Sequence, residues 1–180
     1  NPWILKDPVR FRCSPVASYA QMSASEMSPK WTWVEAEQVT GAVIVRSCLW
    51  SSSDEAGARI AVHAFSHRVI DSLIEAGVDD IEHGSGIDAD QASEISARGI
   101  AVTPTLRQVE LFKDFAAQAG AKYPVYAATM LGMYDARRSH FQMLVDSGVL
   151  LLMGTDSGGY QDHGTIAGEL DLWLQWGAPA

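Results

Sequence analysis

Between residues 57 and 104 the chain alternates short apolar runs with stretches of helical periodicity, and that alternation leaves few folds open. Arg59 to His63 reads as a strand. Arg68 to Ala76 follows as a helix, because Val69, Ile70, Leu73 and Ile74 recur at helical spacing, and Gly77 stands where a left-handed cap would end it. Val78 to His83 is the next strand, Asp88 to Arg98 the next helix with Gly99 as its stop, and Ile100 to Pro104 the strand after that. A βαβαβ series requires parallel strands, since each helix must carry the chain back to the starting edge before the next strand begins. The fold class expected is therefore α/β with a parallel sheet.

Beyond Thr105 the spacing lengthens. Residues 106 to 147 read as mainly helical, with a break around Gly120-Ala121-Lys122-Tyr123-Pro124, and so as an excursion over one face of the sheet of the kind that forms lids or substrate walls. The run 149 to 153 is apolar throughout, as expected of a strand buried on both faces, and His163 to Trp176 reads as a closing helix. Residues 1 to 56 form a separate, poorly patterned segment holding both cysteines, Cys13 and Cys48, and four of the six tryptophans. Within it Gly41 to Arg46 has the β-branched character of a buried strand, and Ser51 to Asp54 that of a loop or helix cap.

Charge and composition narrow the partners. A formal net charge of −9 and a pI near 4.9 argue against nucleic acid or an anionic membrane surface, both of which reward clustered Lys and Arg, and leave a small-molecule substrate as the default. No apolar run approaches the roughly 20 residues of a membrane helix. Two distant cysteines suggest reduced thiols and a cytoplasmic setting rather than a disulfide framework. The start, Asn1-Pro2-Trp3, lacks an initiator Met and a signal-peptide pattern, so the chain is expected to begin inside a longer gene product.

Three apolar runs end in a side chain able to hold a metal: Ile60-Ala61-Val62 in His63, Ile81-Glu82 in His83 before Gly84, and Val149 to Thr155 in Asp156. Each also has an ordinary reading, the histidines as satisfied core residues and Asp156 as part of the Thr-Asp-Ser-Gly-Gly turn. His163, just before Gly164, is open to two readings, a substrate contact or a cap of the last helix. His140 and Tyr126 are the remaining candidates for substrate contact. Against that, His140 follows Arg137 and Arg138 on a helix and reads more readily as structural, and Tyr126 and Tyr123 as packing aromatics. His67 reads as a surface helix position.

The ordered series Val62-His63-Ala64, Glu75 to Gly84, Pro104-Thr105-Leu106, Gly148-Val149, Gly154 to Gly159, His163-Gly164 and Glu169-Leu170 resembles the amidohydrolase superfamily, specifically its imidazolonepropionase-like and Xaa-Pro-dipeptidase-like branch. The resemblance covers about residues 57 to 180 and implies strands 5 to 8 of a TIM-like (β/α)8 barrel. By position it implies that His63 and His83 bind a divalent metal, most often zinc, and that Asp156 binds metal and serves as general base. A bound Zn²⁺ lowers the pKa of its water from about 15.7 towards about 7, and a carboxylate beside it would pass that proton to a leaving nitrogen. The implied activity is hydrolysis of a C–N bond in an amide or cyclic amide, and the implied partner is a small-molecule amide, dipeptide or lactone-like substrate.

The departures are specific. The His-x-His pair expected on strand 1 occurs nowhere in the 180 residues, and the segment that resembles strand 4 ends in Arg46, where many relatives carry a lysine that becomes carboxylated. With about 250 residues needed for a full barrel, the chain is expected to be incomplete, to be completed by another chain or by homo-oligomerisation, or to be a non-catalytic remnant with an open sheet edge. Residues 1 to 55 are hypothesised to come from a frameshifted region, which reading the other two frames would test. A phosphate-binding barrel enzyme using Gly154 to Gly159 as an anion loop is the remaining alternative.

Overall fold

The computed structural model describes residues 31–35, as backbone, and residues 59–158 and 160–178. Cys13, Cys48, the Gly41–Arg46 segment and Ser51–Asp54 lie outside the described residues. Among the described residues five strands form one parallel sheet in sequence order: β1 (Trp31–Glu35), β2 (Arg59–Ala64), β3 (Asp80–His83), β4 (Ala101–Thr103) and β5 (Leu150–Leu151). Neighbours in the sheet are neighbours in the chain, the arrangement of a sheet that winds in one direction towards a barrel.

The helices form where their caps and periodicity dictate. In α1 (His67–Ala76) the Ser66 side chain accepts from the Arg68 N–H, and Gly77 closes the helix at φ 71° with its N–H on Leu73 and Ile74 carbonyls. Asp88 caps α2 (Ala89–Arg98) in a reciprocal capping box with Gln91, and Gly99 ends it at φ 69°. The outward side chains of the sheet, Ile60, Val62, Ala64, Ile81 and Val102, share one core with Ile70, Leu73 and Ile74 of α1 and Ala92 and Ile95 of α2. Each such burial is worth roughly 1.5–3 kcal/mol for a side chain of Val, Leu or Ile size. The opposite face, by the two-residue period of a strand, carries Ala61 and His63, Asp80 and Glu82, Ala101 and Thr103.

The segment after β4 is helical and broken as expected, into α3 (Leu106–Glu110), α4 (Phe112–Ala119), a single 3-10 turn (Gly120–Lys122) and the 23-residue α5 (Pro124–Asp146), which starts on the proline. Val109, Phe112, Ala116 and Met130 join α3, α4 and α5 in a second core, and Leu106, Phe141 and Trp176 join them to α6 (Ile166–Trp176) in a third. No described helix is long and apolar enough to cross a membrane.

Two expectations need correcting. The run 149–153 is not buried on both faces: only Leu150–Leu151 pairs, and Leu150 is 58% exposed, because β5 is the edge of the described sheet with no neighbour on its far side. The closing helix starts at Ile166, not His163, since Gly164 turns left-handed at φ 83° just before it. The strand beside β2 is Trp31–Glu35, a segment whose aromatic and β-branched residues suit a sheet.

Candidate functional site

His63 and His83 end adjacent strands and face each other. With Asp80 and Glu82 on the inner face and Ile81 in the outer core, strict alternation would send His83 outward towards the helices. Its backbone instead turns left-handed at φ 68°, and its ring lies edge-on to that of His63 with centroids 4.6 Å apart. Phe65 packs 4.5 Å from both rings. The His83 Nδ1 is 2.7 Å from the Thr105 hydroxyl, and the residue is 2% exposed. Burial, reinforced by the nearby His63, pushes its pKa down to about 3, so at neutral pH it is an uncharged imidazole with a lone pair to offer.

Asp156 follows β5 and also stands left-handed, at φ 54°. Its carboxyl is held above the usual range by the surrounding walls, while the nearby His63 pulls it back down. His83, Thr105 and Asp156 are the non-glycine residues with positive φ among the described residues, and each lies at or just past the C-terminal end of one of three successive strands, β3, β4 and β5. For side chains that ordinarily avoid this region, such clustering marks a place where surrounding contacts hold the backbone against its preference, as they do at functional sites.

Below these positions lies an open cavity of about 440 Å³. Asp80, Glu82 and Thr103 line it from β3 and β4, Thr105 from the turn after β4, and Leu152 to Gly154, Asp156 and Ser157 from the far side. A Cβ on Gly154 would come within 2.5 Å of the Thr103 methyl, so glycine is what lets that wall close on β4. Glu82 is pushed up to about 8, first by burial and then by the charges of Asp80 and Asp156. Asp80 is raised by burial, against a 3.0 Å hydrogen bond donated by the Thr103 hydroxyl to its Oδ2. Among the described residues, the cavity lining beside Gly154 offers no Lys, Arg or His to meet a phosphate, which weighs against an anion loop there.

The other sequence candidates fall elsewhere. His163 is exposed, with its ring against Gly158, close to the Asp156 turn but not lining the cavity. His140 sits on α5 with Nε2 3.0 Å from the Ile87 carbonyl; burial lowers its pKa, and it ties the long helix to the loop after β3. Tyr126 is 46% exposed near the start of α5, away from the cavity lining. His67 opens α1 at the surface, with Nδ1 3.3 Å from the Gly86 carbonyl. The structure thus brings together His63, His83 and the Asp156 turn, with Asp80, Glu82 and Thr105 added. The first two of these additions had a readable signal, since Asp-Ile-Glu-His puts two carboxyls two residues apart on one face of a strand.

The donors suit a divalent ion in kind: two adjacent imidazoles, one firmly neutral with its Nδ1 already engaged, and a carboxylate. Among the described residues, however, no group of three or more His, Cys, Asp and Glu side chains is gathered closely enough to hold one.

No protein-family model matches the chain. Uncharacterised proteins of Mycobacterium bovis and Mycobacterium tuberculosis are each 33% identical to it over 155 residues, which make up 86% of this chain and 39% of theirs. The chain therefore spans about two fifths of the length of these curated relatives. The crystal structure of a Xaa-Pro dipeptidase with methionine bound in its active site is similar over 75% of this chain and 33% of that one, at 26% identity and a TM-score of 0.64. An amidohydrolase structure matches 87% of this chain and 40% of its own, with 18% identity and a TM-score of 0.68, and the A. niger ochratoxinase matches 83% and 35%, with 19% identity and a TM-score of 0.67. At those identities the last two are likenesses of fold.

Proposed function

This chain belongs to the amidohydrolase superfamily and spans part of its barrel, and on that premise we propose that it contributes the strand 5, 6 and 8 side of a metal-dependent hydrolase acting on the C–N bond of a small amide or dipeptide. The observation that carries this reading is the His63–His83 pair, two rings 4.6 Å apart at the C-terminal ends of adjacent parallel strands, where barrel enzymes assemble their sites. His63, His83 and Asp156 are the residues that would hold the ion, zinc being the metal that a set of two imidazoles and a carboxylate suits. When bound, such an ion supplies Lewis acidity to the scissile carbonyl and acidifies water.

The chain's own groups do the rest. His83, neutral and fixed at Nδ1, presents Nε2. Asp156 takes a proton from the attacking water at a carboxylate oxygen and delivers it to the leaving nitrogen, which leaves as a neutral amine. The described lining of the cavity beneath, with Asp80 and Glu82, has no Lys or Arg to pair with an anion, so the substrate's own carboxylate, in a dipeptide, would point towards the mouth.

A second reading, a non-catalytic remnant, draws on the ungathered donor set and the open β5 edge. One measurement separates the two. Zinc content of the purified chain is expected to be stoichiometric, and to be lost in His83→Ala and Asp156→Ala; Asp156→Asn is expected to lower hydrolysis of Xaa-Pro dipeptides by about 10²–10⁴-fold. A parent chain that takes up no zinc sinks the hydrolase reading and leaves the remnant.

A further inference from the structure

Thr105 occupies the N-cap position of α3 but does not cap it. Its side chain makes no hydrogen bond to its own helix; the hydroxyl is committed to His83 Nδ1 at 2.7 Å. The capping is done from a distance. Glu169, on α6 and 0% exposed, accepts from the Leu106 N–H through Oε1 at 2.7 Å and from the Arg107 N–H through Oε2 at 2.9 Å, while the Trp173 indole N–H steadies Oε1 at 3.1 Å. These are the first two backbone donors of α3, the groups a capping side chain normally satisfies.

The substitution has a geometric consequence. Thr105 is β-branched and stands at φ 43°, ψ 56°, a left-handed conformation that such residues avoid and that persists only where neighbours over-determine it. Here they do: its carbonyl accepts from the Gln108 N–H, the following two N–H groups are clamped by Glu169, and its hydroxyl reaches His83. Freed from capping, the hydroxyl is aimed across 22 residues of sequence at an imidazole whose own backbone is left-handed.

We propose that Thr105, clamped by Glu169, is a positioning residue that fixes the His83 ring as the Nδ1–H tautomer, with Nδ1–H donating to the Thr105 Oγ1 and Nε2 left bare. The 2.7 Å contact alone is met by either tautomer, and its direction follows from the proposed reading of His83 as a ligand, whose Nε2 must be bare to hold an ion, so the inference rests on that reading. Glu169 acts at one further remove, through the backbone of α3, and Phe65, stacked on His83, limits the ring's tilt. Orienting partners of this kind are worth about 10–100-fold in metal affinity where they have been removed.

The test is histidine ¹⁵N–¹H correlation spectroscopy on the metal-free chain at pH 7, with His83 assigned from a His83→Gln spectrum. The parent is expected to show a protonated Nδ1 and a bare Nε2 at His83. Thr105→Val is expected to lose that preference, Thr105→Ser to restore it, and Glu169→Gln, which keeps the volume but weakens the clamp, to give a mixture of tautomers. A parent spectrum with the proton on Nε2 overturns the proposal without any variant, and so does a Thr105→Val spectrum identical to the parent. Zinc titration of the same samples adds an independent readout, with affinity expected to fall about 10–100-fold in Thr105→Val. Absence of zinc binding in every sample, with the tautomer as stated, counts against the hydrolase reading and not against the positioning.

Discussion

Gly86→Ala is expected to destabilise the fold by about 3 kcal/mol, which in a chain of this size lowers the melting temperature by roughly 6–12 °C. A Cβ at this position would lie 2.4 Å from the His67 backbone nitrogen, 2.5 Å from the Phe65 carbonyl oxygen and 2.9 Å from the Ser66 carbonyl carbon. All three are backbone atoms of the turn between β2 and α1, so no rotamer change relieves the clash. The loop after β3 must move away from the turn after β2. Parting the two reaches the site directly, because Phe65 belongs to the turn after β2 and its ring packs 4.5 Å from both His63 and His83. The expected result is therefore double: a lower denaturation midpoint and, where the parent holds zinc, weaker retention of it. A midpoint within error of the parent would show that the two turns are not in the contact described. Gly99→Ala serves as the contrast, since a Cβ there meets no atom within 4 Å and only the left-handed φ of 69° opposes it.

What could be read from the sequence followed from how locally each feature is determined. β2, α1, β3, α2 and β4 were legible almost to their ends because each is bounded by its own signals: Ser66 and Gly77 around α1, Asp88 and Gly99 around α2. Those caps act within one turn of chain, so sequence proximity is enough to see them. The same holds for the break at Gly120 to Pro124. β5 misled because apolar character in 149–153 says that the run is sticky, not that partners exist on both sides; burial is a property of the neighbours. β1 was overlooked for a related reason, since Trp31 to Glu35 alternates with polar residues while Gly41 to Arg46 offers the smoother apolar run.

The site divides along the same line. His63, His83 and Asp156 were visible because each ends an apolar run, the position from which a strand delivers a side chain to the barrel mouth. Thr105 and Glu169 stood within the motifs that carry the resemblance, yet nothing local revealed what they do. Glu169 is 63 residues from the N–H it accepts at Leu106, and Thr105 is 22 from His83. A threonine before a helix reads as a cap, and only the distant carboxylate that replaces it shows the hydroxyl to be employed elsewhere.

Glu82→Gln is expected to flatten the stability of the chain between pH 6.5 and 8 and to leave it more stable than the parent at pH 8. A carboxyl whose pKa is about 8 when folded and near 4.5 when unfolded takes up a proton on folding throughout the interval between them. The folded state then binds more protons than the unfolded state, so stability falls as pH rises through that interval and levels off above 8. His83 works in the opposite sense. With a folded pKa of about 3 against 6.5, it makes the chain more stable as pH rises from 3 to 6.5 and contributes no slope above that. The window from 6.5 to 8 therefore isolates the acid pair. Across it the parent is expected to lose on the order of 1–2 kcal/mol, as the proton on Glu82 is lost beside Asp80 and Asp156. The glutamine side chain keeps the size and a donor facing Asp80 but has no proton to give up, so the variant's melting temperature should hold level where the parent's declines. Parallel curves for the two proteins would mean that Glu82 ionises at its ordinary pKa and that the floor of the cavity is wetter and more open than its burial implies.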